Sequence, residues 1–346
     1  MAKQTKRRKQ DEPDEYLAVM LLHWGMLAQI AEKRTTGSVA KTYNKATQDV
    51  VSKLHKIHRA LKGTRPESRP LSGYEAQAAV AQVRALLPQM SLTVYNAILA
   101  GARDAQTAGL RTIIDSVEKL ERDLTKKTVA LPLKQAARFN NVLEQRVSTI
   151  ERSTEEAVQA YTRQTAEDVE RQLSLAVALE DTFEEAMQRV EDTLLGARWK
   201  TERIARTEAA YGFNASLYDG VSDSSRELPD IGMRWTELVY DTSGEPMDAR
   251  VATDSLALHG QICDANGIFT MPEDPRVRPA MWGETYRFPP NRPNDRAVLV
   301  PWRPTWGVPG YKYVGGRPMG IARDGTLTGP LPPNLNPTIL PIGRSR

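Results

Sequence analysis

The sequence predicts an α+β fold: a long-helix N-terminal bundle or stalk, a small mixed α/β domain, and an extended C-terminal arm. Three observations carry this. Of 22 prolines, five lie in residues 1–200 and seventeen beyond, and fifteen of the 22 glycines also fall in the later part. Lysine does the reverse, with Lys312 the only one after Lys200. Residues 133–195 contain neither glycine nor proline. Proline removes a helical donor and clashes with the preceding turn, so the early part can be mostly helix and the later part cannot. A length of 346 residues suggests about two domains, with room for a real core. The expected division is a basic disordered tail over 1–13, a helical domain over 14–195, a mixed domain over 197–303 and a Gly/Pro-rich arm over 304–346.

The elements follow in order. Leu17, Met20, Leu21, Trp24, Leu27 and Ala28 share one helical face, which predicts a helix over 14–34. Gly37 should break it, with Ser38 as a cap for a second helix over 38–62 carrying Val39, Tyr43, Ala46, Val50, Leu54, Ile57 and Leu61. The short connection makes these two an antiparallel hairpin. Residues 63–73 read as an exposed linker. Helices are expected over 74–87 and 91–127, separated by Pro88. A continuous helix over 133–195 would be roughly 95 Å long, so it must be braced, broken or project outward. Val169, Leu173, Ala176, Phe183, Met187, Val190 and Leu194 have coiled-coil spacing, with Glu180 in one core slot. A helix folded back on the earlier ones would explain this as well as an intermolecular coil.

Gly196 should end that run, and residues 197–219 should form an amphipathic helix in which Glu202–Arg206 and Thr207–Tyr211 can touch. Residues 220–232 are a turn cluster. Strands are expected over Met233–Tyr240 and Ala297–Val300, the second stopped by Pro301, with a short helix within 251–262. The 197–219 helix should pack on both strands, with Trp199, Trp235 and Trp302 as core candidates. Beyond Pro304 the chain has few large apolar groups and should extend as an arm.

The chemistry is narrow. With 47 basic and 43 acidic residues the net charge is +4, which excludes a histone-like polycation. The single Cys263 excludes a disulfide framework and a multi-cysteine zinc site within the chain, and fits a reducing compartment. The basic start resembles an export signal, but Asp11, Glu12, Asp14 and Glu15 replace its apolar region. The apolar stretch Tyr16–Met26 is too short to span a bilayer, so no membrane partner is expected. Gly315 and Gly316 are not followed by a helical pattern and fail as a phosphate loop. No cofactor is implied. His55 and His58 share a helix face, with Asp49 near, but no full metal-ligand set accompanies them.

Asp248, Arg250, Asp254, Ser255 and His259 fall close together. They suggest either a hydrolase or a buried hydrogen-bonded network locking loops. Lys3, Lys6, Arg7, Arg8 and Lys9 put five positive charges into the first nine residues. They could contact DNA phosphates without sequence preference or simply solubilise a tail.

Three segments carry a family resemblance. The helix 199–211, WKTERIARTEAAY, contains Arg203, Arg206, Thr207 and Glu208; Asp248–Gln261 runs from an Asp-x-Arg-Val turn to a Leu-His-Gly; and Phe288–Pro301 reads FPPNRPNDRAVLVP. In order and spacing they resemble the phage head morphogenesis (minor head protein) family, which includes the F protein of phage Mu. The likeness covers about 130 residues from about 170 to 303, and its first segment is the most specific. Many family members carry His-Pro-Asn-Cys-Arg-Cys where this chain has Arg292, Pro293, Asn294, Asp295, Arg296 and Ala297. A metal-stapled turn is therefore not expected, and a network of Asn294, Asp295 and Arg296, or plain packing, should hold the turn.

The resemblance implies a low-copy virion protein that binds the portal protein, the major capsid protein or both. It would act in capsid or procapsid assembly and in packaging or ejection of double-stranded DNA, residing in the phage head and, during assembly, in the host cytoplasm. It does not imply an enzyme, although family members can carry appended toxin domains. Hydrolase or ADP-ribosyl transfer chemistry around 248–261, and DNA binding through the tail, are the alternatives.

Overall fold

The structure is a computed structural model. It describes residues 15–62, 69–122, 127–237, 253–258, 261–264, 266–275, 277–293, 295, 297–303, 311–314, 317–321 and 327–330. Long helices precede short strands, an α+β arrangement. The helices are α1 (Glu15–Lys62), α2 (Gly73–Leu120), α3 (Ala136–Glu144), α4 (Val147–Ala178), α5 (Phe183–Ser224) and α6 (Thr253–Leu258). The strands are β1 (Gly232–Thr236), β2 (Phe269–Thr270), β3 (Thr285–Tyr286), β4 (Val298–Trp302), β5 (Tyr311–Val314), β6 (Arg317–Ile321) and β7 (Leu327–Pro330). Contacts divide the chain into two compact units. One takes Met1–Ala31, Ala105–Arg146 and Ala210–Arg346; the other takes Glu32–Asp104 and Val147–Ala209.

The second unit is almost wholly helical, with one antiparallel bridge of Pro70 to Thr182 between its helices. Val39, Tyr43, Val50 and Leu54 of α1 recur at steps of four and seven, and Val83, Leu87, Met90 and Val94 of α2 alternate steps of four and three. Val158, Tyr161, Val169 and Leu173 of α4 and Phe183, Met187, Val190 and Leu194 of α5 complete one apolar core. Tyr43 and Tyr161 place their hydroxyls in that core. They bond each other, and Tyr43 donates to the Leu194 carbonyl at 2.7 Å. Burial raises both phenol pKa values.

Three expectations fail here, for related reasons. α1 runs through Gly37, α2 through Pro88 and α5 through Gly196, so the expected 14–62 hairpin is a single helix. A glycine costs a helix only about 1 kcal/mol and a proline about 3. The apolar contacts on both sides of each residue outweigh that. The 133–195 run is broken, one of the outcomes its length allowed, and α3 ends at Glu144 before α4 begins at Val147. A 3-10 turn at Pro132–Lys134 precedes α3, and α4 and α5 are separated at residues 179–182. Glu180 there adopts φ 57° and is exposed, so it fills no core slot. The seven apolar positions thus lie on two helices folded onto α1 and α2, not on one coil. Reciprocal caps fix the starts of two helices. The Thr182 amide donates to Glu185 at 2.8 Å while the Glu185 amide donates back to Thr182 Oγ1 at 3.3 Å; Ser72 and Glu75 repeat the pattern at 3.0 and 3.3 Å.

In the other unit, Leu110, Ile113, Val117 and Leu120 of α2 are buried, as are Phe213, Leu217 and Val221 of α5. The Trp24 indole donates to Ser116 Oγ at 2.6 Å. β1 pairs antiparallel with β4, Trp235 opposite Leu299, and β2 pairs with β3. As expected, helix and strand pack together. Asn214 of α5 donates to the Ala297 carbonyl at 3.0 Å and accepts from the Leu299 amide at 2.9 Å. Pro301 does not stop β4, because its missing N–H falls in a two-stranded pair at the partner of Met233. The region after Pro304 is not a plain arm, since β5, β6 and β7 form an antiparallel three-stranded sheet. Among the tryptophans, Trp235 is fully buried and Trp302 half-buried, but Trp199 is 55% exposed and belongs to no core.

Candidate functional site

The densest polar chemistry lies behind the β1–β4 pair. Alternation along β1 turns Trp235 into the core, where its ring meets Phe269 at 5.4 Å and Tyr286 at 6.2 Å edge to face. Glu237 follows it and is buried. α6 brings Ser255 to it, and the turn before β4 brings Asp295; all three are at most 6% exposed.

Ser255 Oγ bonds the Glu237 carboxyl and lies 3.1 Å from Asp295 Oδ1. A hydroxyl carries one proton, so it cannot donate fully to two carboxylates. A proton on Glu237, donated to Ser255 while Ser255 donates to Asp295, satisfies the chain. Burial and then the Asp295 charge raise the Glu237 pKa, which fits this assignment; the Ser255 and Trp235 hydrogen bonds, and then Arg292, act the other way. Asp295 is placed to hold the negative charge. It accepts the Asn291 amide at 3.0 Å and the Ala297 amide at 3.1 Å. Beside it, Arg292 pairs with Asp254 of α6. Among the described residues, both polar side-chain atoms of Asn291 are buried without a hydrogen-bond partner.

Two further clamps complete the module. Gln261 donates to the Thr270 carbonyl at 2.9 Å and accepts its amide at 3.2 Å, tying β2 to the segment after α6. Arg146 forms a two-pronged pair with Asp219 at 2.9 Å on both arms and sits 5.6 Å over the Phe288 ring. Phe288 in turn meets Tyr211 at 5.2 Å and Tyr218 at 5.6 Å. Gly267 closes the turn before β2 at φ +73°, where a Cβ would stand 2.8 Å from the Tyr218 hydroxyl.

Asp254 and Asp295 thus belong to one polar network, and Ser255 joins them. Asp248, Arg250, His259, Asn294 and Arg296 lie outside the described residues, as do Lys3, Lys6, Arg7, Arg8 and Lys9. Glu237, Asn291 and Arg292 were not singled out as network members. The available signal was an acid and a tryptophan two residues apart in an apolar strand.

The helix carrying the resemblance places its four residues differently from one another. Arg203 lies over the Trp199 ring at 5.2 Å. Arg206 reaches Glu32 of α1 at 2.6 Å, while Glu202 pairs with Arg198 at 2.9 Å, so the expected Glu202–Arg206 pair is replaced by these two. Thr207 Oγ1 donates to the Arg203 carbonyl at 2.9 Å, bonding back along its own helix. Glu208 is buried and accepts from Ser153 Oγ at 2.9 Å; burial pushes its pKa up to about 7.

His55 and His58 address Phe183. The His58 ring stacks on it at 3.4 Å, and the His55 ring meets it edge-on at 5.8 Å. Among the described residues no group of three His, Cys, Asp or Glu side chains is placed to hold a metal ion, and no helix is long and apolar enough to cross a membrane. Comparison with protein-family models, with curated proteins and with solved structures finds no match.

Proposed function

We propose that this chain is a minor head protein of a phage particle, acting in capsid or procapsid assembly and in DNA packaging or ejection. One observation carries the reading. The three segments that resemble the head morphogenesis family are far apart in sequence, yet each contributes to one polar and aromatic module. Tyr211 of the first meets Phe288 of the third, and Asp254 and Ser255 of the second bond Arg292 and Asp295 of the third. A shared module explains why such segments would keep their order and spacing. The departure at Asp295 fits as well. Where family members have cysteine, this chain has a carboxylate that fastens the turn through two backbone amides and a serine.

The site favours a fastening role over hydrolysis. Ser255 is itself buried between two buried acids, and Asp295 is already bound to the Asn291 and Ala297 amides, which supports a fastening role. On this reading the long helices and the C-terminal strands bind the portal protein, the major capsid protein or both, and the basic tail contacts packaged double-stranded DNA. Mass spectrometry and imaging of purified particles test the proposal. The chain is expected in low copy in heads, and deletion of its gene should lower head yield, DNA content or infectivity. A deletion that changes none of the three defeats it.

A further inference from the structure

The outward face of α5 carries charge in an ordered way. Its N-terminal half is acidic, with Glu184, Glu185, Glu191 and Asp192. The following stretch, residues 198–206, is net basic, with Arg198, Lys200, Arg203 and Arg206 against Glu202, as Arg189 stands within the acidic stretch. Between the halves stand Leu195, 40% exposed, Gly196 and Trp199, 55% exposed. A Cβ on Gly196 would meet nothing within 4 Å, so nothing in its own surroundings requires a glycine in mid-helix, where glycine is unfavourable.

Several of these charges have partners within the unit. Arg198 pairs with Glu202 at 2.9 Å, Arg206 with Glu32 at 2.6 Å, Lys200 lies 3.9 Å from Asp168, and Glu184 lies 3.7 Å from His55. Lys56 and Arg59 of α1 share a hollow with Glu184 and Glu191. The outward imbalance therefore rests on Glu185 and Asp192 at one end and on Arg203 at the other. Arg203 covers one side of the Trp199 ring, and more than half of the residue still faces solvent.

We infer that this face of α5 binds a second copy of the same chain, antiparallel, about a two-fold axis near Leu195 and Gly196. The charge order decides the occupant and its direction. Turned about that axis, the acidic half of each copy meets the basic half of the other, whereas a parallel pair would set like on like. Asp192 then lies opposite Trp199 and Lys200, and Glu185 comes within reach of Arg203 and Arg206. An interface of this kind is isologous, each residue being used twice. Leu195 and Trp199 supply its apolar centre, and Gly196 lets the two helices approach closely. A single helix face buries less than a standard interface, so the pair is weak and depends on concentration and salt.

Sedimentation equilibrium of the full chain tests this. A monomer–dimer equilibrium is expected, shifting toward monomer as salt is raised. Trp199→Glu should leave the helical circular dichroism unchanged and abolish the dimer. Arg203→Glu, which faces Glu185, and Asp192→Arg, which faces Lys200, should each weaken it by about tenfold. Leu195→Cys should give a disulfide-linked dimer under mild oxidation, while the parent, with Cys263 alone, should not. A parent that stays monomeric overturns the inference. So do a dimer that survives Trp199→Glu and a Leu195→Cys chain that does not cross-link.

Discussion

The helical unit of residues 32–104 and 147–209 and the module around the β1–β4 pair hold themselves together by different means. The first buries a run of apolar side chains at heptad-like spacing, with Tyr43 and Tyr161 as a polar pair inside it. The second has its own apolar centre, around Trp235, Phe269 and Leu299, and is pinned in addition by individual polar contacts. These reach 40 residues from Ser255 to Asp295, 38 from Arg292 to Asp254 and 85 from Leu299 to Asn214. In the helical unit, stability is shared over many replaceable contacts. In the β module, single side chains each close a long loop, and their loss leaves buried donors with no acceptor.

The sharpest way to break this contrast is to cut one residue from each. Leu194→Ala removes a fully buried side chain from the helical core and should cost about 2–5 kcal/mol in chemical denaturation, the spread reflecting how far the core relaxes. Asp295→Ala removes the acceptor of the Asn291 and Ala297 amides and of Ser255, and should cost about 3 kcal/mol although far less apolar surface is lost. Hydrogen exchange separates the two. Asp295→Ala should expose amides around 291–301 and leave α4 protected. If it exposed α4 equally, the two regions would not differ as described.

The next effect is a pH dependence inside the helical unit. Glu208 has its pKa raised from 4.5 to about 7 by burial, so the folded state holds its proton more tightly than the unfolded chain. Stability should therefore be greatest below pH 4.5 as far as this group is concerned, and fall as pH rises toward 7, by up to about 3 kcal/mol. Glu208→Gln should remove that slope in a melting series across this range. Glu237 has the same sign, raised by burial and by Asp295, and Asp295→Ala should reduce its contribution. A parent chain that gains stability across this interval would show that neither carboxyl is held neutral.

The two regions were also unequally legible in the sequence. The apolar spacing of Val39, Tyr43 and Val50, and of Val169 through Leu194, is a local and repeated signal, and it marks the core positions directly. What it does not mark is where a helix stops. Gly37, Pro88 and Gly196 carry strong local penalties that long-range packing overrides, while the real break at Glu180 contains neither glycine nor proline. The two signatures Ser72–Glu75 and Thr182–Glu185 would have located helix starts. In the β module, Asp254 and Asp295 stood out by their segments. Their meeting with Ser255 and Glu237 depends on a fold that brings three separated stretches together, which no spacing rule encodes. Trp199 misled because a large aromatic on an amphipathic helix suggests burial, and only the packing of α5 shows which face it takes.

The smallest prediction uses two glycines of the helical unit that look alike in sequence. Both lie in helix interiors, where replacing glycine by alanine ordinarily gains about 1 kcal/mol. At Gly37 of α1 a Cβ would meet nothing within 4 Å, so Gly37→Ala should keep most of that gain and raise the melting temperature by about 2 °C. At Gly101 of α2 a Cβ would overlap the Thr35 side chain, which is 3% exposed and has little room to retreat. There the helical gain is set against an overpacking cost of about 1–3 kcal/mol, and the net effect should be a loss. Opposite signs from the same substitution would locate the constraint in the packing between α1 and α2, not in backbone preference. Equal signs would mean that Thr35 moves aside at no cost, and that this part of the core is looser than its burial implies.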